Sequence, residues 1–143
     1  MCAAAPGRAI PDTGCALTTH VQEVAGLTEL PPALRSALPP MAERGASFNA
    51  GDAVTDADLP SRRLIRAGHL GDRWFVWYEH GGEGYFWHVV VARVGDDTGD
   101  DEPTVTMLAD AGTISDTLCT VTDGALADRV PPYPPGAWAA SGY

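Results

Sequence analysis

His80 and His88 flank Gly81-Gly82-Glu83-Gly84, with Glu79 and Glu83 beside them. Two imidazoles and one carboxylate are the donor set of a mononuclear metal site or, without metal, the makings of an acid–base pair. The glycines between them read as a hairpin turn, and its register decides which chemistry is open. A turn centred on Gly82-Glu83 pairs His80 with Tyr85, Tyr78 with Trp87 and Val76 with Val89. His80 and His88 then point to opposite faces, and only a one-residue change in register brings them together. Glu79 and His80, adjacent on a strand, also point apart. The expectation is therefore no metal site and no assigned catalytic residue.

Other chemistry finds little support. Asp96, Asp97, Asp100, Asp101 and Glu102 supply oxygens for calcium but lack the order of an EF-hand loop, so they read as a solvated turn. Ser36, Ser47, Ser61, Ser115 and Ser141 lie outside any Gly-x-Ser-x-Gly elbow. Gly81, Gly82 and Gly84 join two strands instead of opening a helix, so no phosphate loop is formed. No cofactor is implied. An enzyme using His80, His88 or Glu79 in a cleft on the sheet stays as the alternative reading.

The strongest signal is aromatic. Seven of the eleven Phe, Trp and Tyr residues fall between Trp74 and Trp87. A sheet covered on one side only would leave an aromatic face open, as binding surfaces do, whereas one covered on both sides would make the cluster core. The candidate binding residues are Trp74, Trp77, Tyr78, His80, Tyr85, Trp87 and His88.

Three cysteines, Cys2, Cys15 and Cys119, contain no Cys-x-x-Cys pair of the kind used by zinc and thioredoxin-like sites. Cys15 with Cys119 would close a loop of about 100 residues and remove about 4–5 kcal/mol of freedom from the unfolded chain. Cys2, followed by Ala3-Ala4-Ala5-Pro6-Gly7, resembles the lipid-modified first residue of a mature bacterial lipoprotein. One lipid anchor and one disulfide would account for all three thiols; three scattered thiols of a cytosolic chain are the competing reading.

The elements that must position these groups follow from periodicity. Leu17, Val21, Val24 and Ala25 recur at helical spacing and predict a short helix within Cys15 to Leu27. Pro31-Pro32 open a second helix carrying Leu34 and Leu38, and Pro39-Pro40 stop it. Strands are expected through residues 62–93, with turns at Gly71-Asp72 and Gly81 to Gly84, and a fourth strand near residues 104–109. Ser115 would cap a last helix with Leu118, Val121, Ala125 and Leu126 on one face. The fold class is α+β, an antiparallel meander of about four strands packed with short N-terminal and C-terminal helices. Residues 1–14 read as a flexible leader, 15–130 as one domain and 131–143 as a Pro-rich tail.

The chain has 143 residues, 45% hydrophobic and 20% charged, enough for a core without further staples. Nine arginines, no lysine and nineteen acidic residues give a net charge of −10, which argues against a nucleic-acid partner and against electrostatic binding to anionic lipid. Residues 61–93 depart from that balance, with five Arg against three acidic residues. These features together predict a non-enzymatic, extracytoplasmic bacterial binding protein, an accessory lipoprotein or an inhibitor-like module. Its partner would be a protein or envelope ligand, a basic one suiting the net charge, with membrane contact only through a lipid at Cys2. A cytosolic oligomer subunit using the aromatic face as its interface is a further alternative.

Overall fold

In the computed structural model, residues 13–51, 56–82, 84–95, 104–113 and 117–127 are described. Five strands, β1 (Gln22–Val24), β2 (Arg62–Leu70), β3 (Arg73–His80), β4 (Phe86–Val94) and β5 (Val105–Thr113), form one antiparallel sheet in sequence order. Helix α1 (Pro32–Ala37) follows a single 3-10 turn at Leu27–Glu29, and α2 (Thr117–Leu126) follows β5. The architecture is the expected α+β meander with one strand more. Leader residues 1–12, the tail from 128 onward, Cys2, Glu83, the acidic run 96–102 and the Ser115 cap lie outside the described residues.

Both faces of the sheet are covered over its middle. On one face Leu64, Ala67, Val76, Tyr78, Val90 and Ala92 pack under Leu27, Leu30, Leu34 and Leu38, so the 3-10 turn and α1 form a lid on that side. Pro32 opens α1 where a missing N–H costs nothing, and the chain leaves helical conformation at Leu38, before Pro39-Pro40. On the other face Phe75, Trp77, Val89 and Val91 meet Leu118, Cys119, Ala125 and Leu126 of α2. The indole N–H of Trp77 donates to Thr122 Oγ1 at 2.8 Å, so even this core ring has its polar atom satisfied.

The helix expected between Cys15 and Leu27 does not form. Residues 15–21 run as an irregular strap along α2, and Gln22–Val24 add an edge strand to β2. Tertiary bonds win over a marginal local preference. Cys15 is disulfide-bonded to Cys119, and the amides of Thr18 and Thr19 donate to the Asp123 carboxylate at 2.9–3.1 Å. Leu17 and Val21 still face the core, packed against the buried cluster of Phe75, Trp77, Leu118 and their neighbours. A disulfide of this kind persists in oxidising compartments, which favours a location outside the cytosol. No helix among the described residues is long and apolar enough to cross a membrane.

The β3–β4 register differs by one residue from a turn centred on Gly82-Glu83. His80 pairs with Phe86, Tyr78 with His88, and Val76 with Val90. Five residues, 81–85, connect the strands, with positive φ at Gly82 and Gly84. That longer connection places His80 and His88 on the same face, correcting the opposite-face expectation.

Candidate functional site

At the end of the sheet formed by the start of β2, the end of β3 and the start of β4, two cross-strand rows stand back to back. Arg62, His80 and Phe86 form one row on the α1 side, and Arg63, Glu79 and Trp87 form the other on the α2 side. The apolar cluster beneath the 3-10 turn and α1 includes Leu64, Ala67, Val76, Val90 and Ala92 but not His80 or Phe86 of the first row.

The second row is a polar network under a loop. Arg63 and Glu79 are both essentially inaccessible, and Arg63 Nε donates to Glu79 Oε2 at 2.6 Å while Nη2 donates to Oε1 at 3.2 Å. Tyr85 donates its hydroxyl to Glu79 Oε1 at 2.7 Å, and the Trp87 indole N–H donates to the Tyr85 oxygen at 3.1 Å. Arg63 also donates to the Ala46 carbonyl at 3.2 Å, and its guanidinium lies 4.6 Å from the centroid of the Phe48 ring. The loop carrying Ala46 and Phe48 is fixed by Asn49, whose buried amide donates to the carbonyls of Asp56 and Leu59. Its backbone comes so close that a Cβ on Gly81 would stand 2.1 Å from the Asn49 carbonyl oxygen. Fully bonded, such a network holds the aromatic side chains in one geometry.

Deeper on the first row's face, Tyr78 and His88 stack with ring centroids 4.9 Å apart and planes 10° from parallel. His88 Nε2 meets the Asp110 carboxylate, and His88 is 1% exposed. A carboxylate against an imidazole fixes the ring and its tautomer, as in a general base, but here the pair is sealed inside the monomer. Among the described residues, no group of three or more His, Cys, Asp or Glu side chains converges as a metal donor set.

The seven candidate binding residues therefore divide. His80, Tyr85 and Trp87 all lie at the hairpin end with part of each side chain at the surface, His80 on the α1 side and Trp87, bonded to Tyr85, on the α2 side. Trp77, Tyr78 and His88 are buried and support that end from within. Trp74 stands at the opposite end of β3, stacked on His69 at 4.3 Å. Phe86 belongs with the first group, its ring 4.7 Å from that of His80.

No known protein family, curated protein or solved structure matches this chain.

Arg62, Arg63, Phe86 and Asp110 were not among the sequence-derived candidates. The signal available for Glu79 and Asp110 was an acidic residue inside a largely apolar strand, which needs a buried partner; Arg62, Arg63 and Phe86 carry no such mark, β2 holding three arginines.

Proposed function

We propose that the protein is a non-catalytic binding module of the bacterial envelope, with His80, Tyr85, Phe86 and Trp87 as its recognition surface. The carrying observation is the hydrogen-bonded chain from Trp87 through Tyr85 to the buried Glu79–Arg63 pair, which fixes partly exposed aromatic rings in advance of contact. Rigid aromatic groups bind with little entropic loss, which is why they dominate interface energetics. Trp77, Tyr78 and His88 serve this surface by packing beneath it, and Trp74 lies outside it.

The partner is a protein or envelope ligand. The disulfide supports a periplasmic or outer-membrane-anchored placement, with Cys2 as the lipid-bearing residue. Labelling of the protein by a palmitate analogue, lost in Cys2→Ala, tests the anchor. The recognition surface is tested by capture from the envelope fraction of the producing cells. Phe86→Ser and Trp87→Ser, each verified as folded under the capture conditions, should lose the partner, while unchanged capture would contradict the reading.

A second reading, acid–base catalysis, is favoured by the His88–Asp110 contact. It requires the buried imidazole to become accessible to a substrate. A turnover abolished in both His88→Gln and Asp110→Asn, with the fold intact, would support it over binding alone.

A further inference from the structure

Leu27, Arg35, Leu38, Pro39, Pro40 and Met41 line a cavity of about 340 Å³ between the 3-10 turn and the chain that leaves α1. That volume falls at the lower end of the roughly 300–1,000 Å³ of small-molecule sites. Its walls are fastened in advance. The Leu27 amide donates to Glu43 Oε1 at 2.8 Å, and the Leu38 amide donates to the Leu34 carbonyl at 3.1 Å. The rings of Pro39 and Pro40 fix φ, and beyond them Ala42 is bonded to β2 in both directions. Its amide donates to the Arg62 carbonyl at 2.8 Å, and its carbonyl accepts from the Leu64 amide at 2.9 Å. A site formed beforehand loses little conformational freedom on binding.

The lining specifies the ligand. Five of the six residues present aliphatic carbons or a thioether, and Arg35 is the one charge among them. Arg35 is exposed, and among the described residues no ion pair or side-chain hydrogen bond engages it, whereas Arg63 and Arg66 hold Glu79 and Glu23. An arginine can lay its methylene stem along an apolar wall and keep its charged end in water. That end is accessible to an anionic group at the mouth, while the wall receives an apolar body. In a chain with nineteen acidic residues, none of the six lining residues is acidic, so no carboxylate of the wall competes for the guanidinium. None is aromatic either, which suits a flexible aliphatic body. One guanidinium balances one negative charge, and its planar fork matches the two oxygens of a carboxylate.

We infer that this cavity binds an aliphatic monocarboxylate, with the carboxylate against Arg35 and the chain among Leu27, Leu38, Pro39, Pro40 and Met41. The site shares no residue with the recognition surface at the hairpin end and stands or falls apart from it. Net charge governs the approach of a ligand from a distance, whereas Arg35 acts at contact.

Titration of the full chain at neutral pH with octanoate, butyrate, octanol and octylammonium tests the site. The readout is the Met41 methyl resonance in protein with isotope-labelled methionine methyls, assigned by its loss in Met41→Leu. The Met107 methyl, which does not line the cavity, is the internal comparison. Saturable shifts at Met41 are expected with octanoate. Butyrate should bind more weakly, since each methylene buried strengthens binding by up to about fourfold. Octanol and octylammonium keep the chain without the negative charge and should also bind more weakly than octanoate, octylammonium least of all. Arg35→Gln should weaken octanoate binding about three- to tenfold, between the effect of an exposed ion pair and that of a charge-assisted hydrogen bond. Because Arg35 is exposed, this variant should melt where the parent does. Arg44→Gln, the same change of charge at an exposed residue outside the cavity, should bind as the parent does. No saturation by octanoate, equal affinity for octanoate and octylammonium, equal binding by the parent and Arg35→Gln, or an equal loss in Arg44→Gln would overturn the assignment.

Discussion

Cys119 and Asp123 stand one turn apart on α2 and fasten the same strap: Cys119 through its disulfide to Cys15, and Asp123 through hydrogen bonds from the amides of Thr18 and Thr19. A segment without regular hydrogen bonding of its own thus reaches the sheet edge in a defined path. Leu17 and Val21 are carried onto the same core cluster against which Trp87 packs.

Removing the disulfide should be costly. The cross-link spans 104 residues, and on the chain-entropy model a loop of that length is worth about 4–5 kcal/mol. Urea denaturation of the oxidised parent against Cys15→Ser/Cys119→Ser should show a loss approaching that size. A difference under about 1 kcal/mol would mean that the strap is held without the bridge.

Asp123 should set part of the acid limb of stability. Partial desolvation raises its carboxyl, but the amide and hydroxyl donors of Thr18 and Thr19 outweigh that, so its folded pKa lies below the ordinary value. The contribution is therefore complete above the unfolded carboxylate range near pH 4 and is lost as pH falls through the lower folded value. Asp123→Asn should reduce stability by about 2 kcal/mol at neutral pH and flatten its decline in acid. Denaturation midpoints measured from pH 7 to pH 2 decide this, and parallel profiles for parent and variant would remove Asp123 from the account.

The buried Arg63–Glu79 pair should show strong non-additivity. Glu79→Gln leaves a buried guanidinium without its counter-charge and should cost about 3–5 kcal/mol. Arg63→Met together with Glu79→Leu removes both charges and should cost less than the two single changes added. A double-mutant cycle measured by chemical denaturation reads the coupling, and additive costs would show that the two residues act independently.

Leu34→Ala should destabilise by about 3 kcal/mol, since the side chain is fully buried between α1 and the sheet. The same substitution should leave partner capture unchanged, because Leu34 belongs to an apolar cluster that does not include His80, Tyr85, Phe86 or Trp87. Loss of capture without loss of stability would place recognition on α1.

The meander, its turns and both proline-bounded and C-terminal helices were legible because strand alternation, Gly-Asp and Gly-Gly signals and helical spacing are local properties of the chain. The Cys15–Cys119 bridge was legible from count and position. What was not legible depended on contacts distant in sequence. Leu17, Val21, Val24 and Ala25 have helical spacing, yet Cys119 and Asp123 pull that stretch straight. The β3–β4 register turned on whether two or five residues bridge the strands, and Gly81 to Gly84 are compatible with either. Asp110 sits beside His88 only because β5 carries a bulge near Leu108, which shifts its pairing with β4 by one residue.

The most direct test of the recognition surface is photo-crosslinking in the cells that produce the protein. A photoreactive phenylalanine analogue would be placed at Phe86 or, as a comparison, at Leu70, which is 42% exposed at the opposite end of the sheet. A discrete crosslinked species from position 86, absent from position 70, is the result expected. Crosslinking at position 70 and none at position 86 would contradict a recognition surface at the hairpin end.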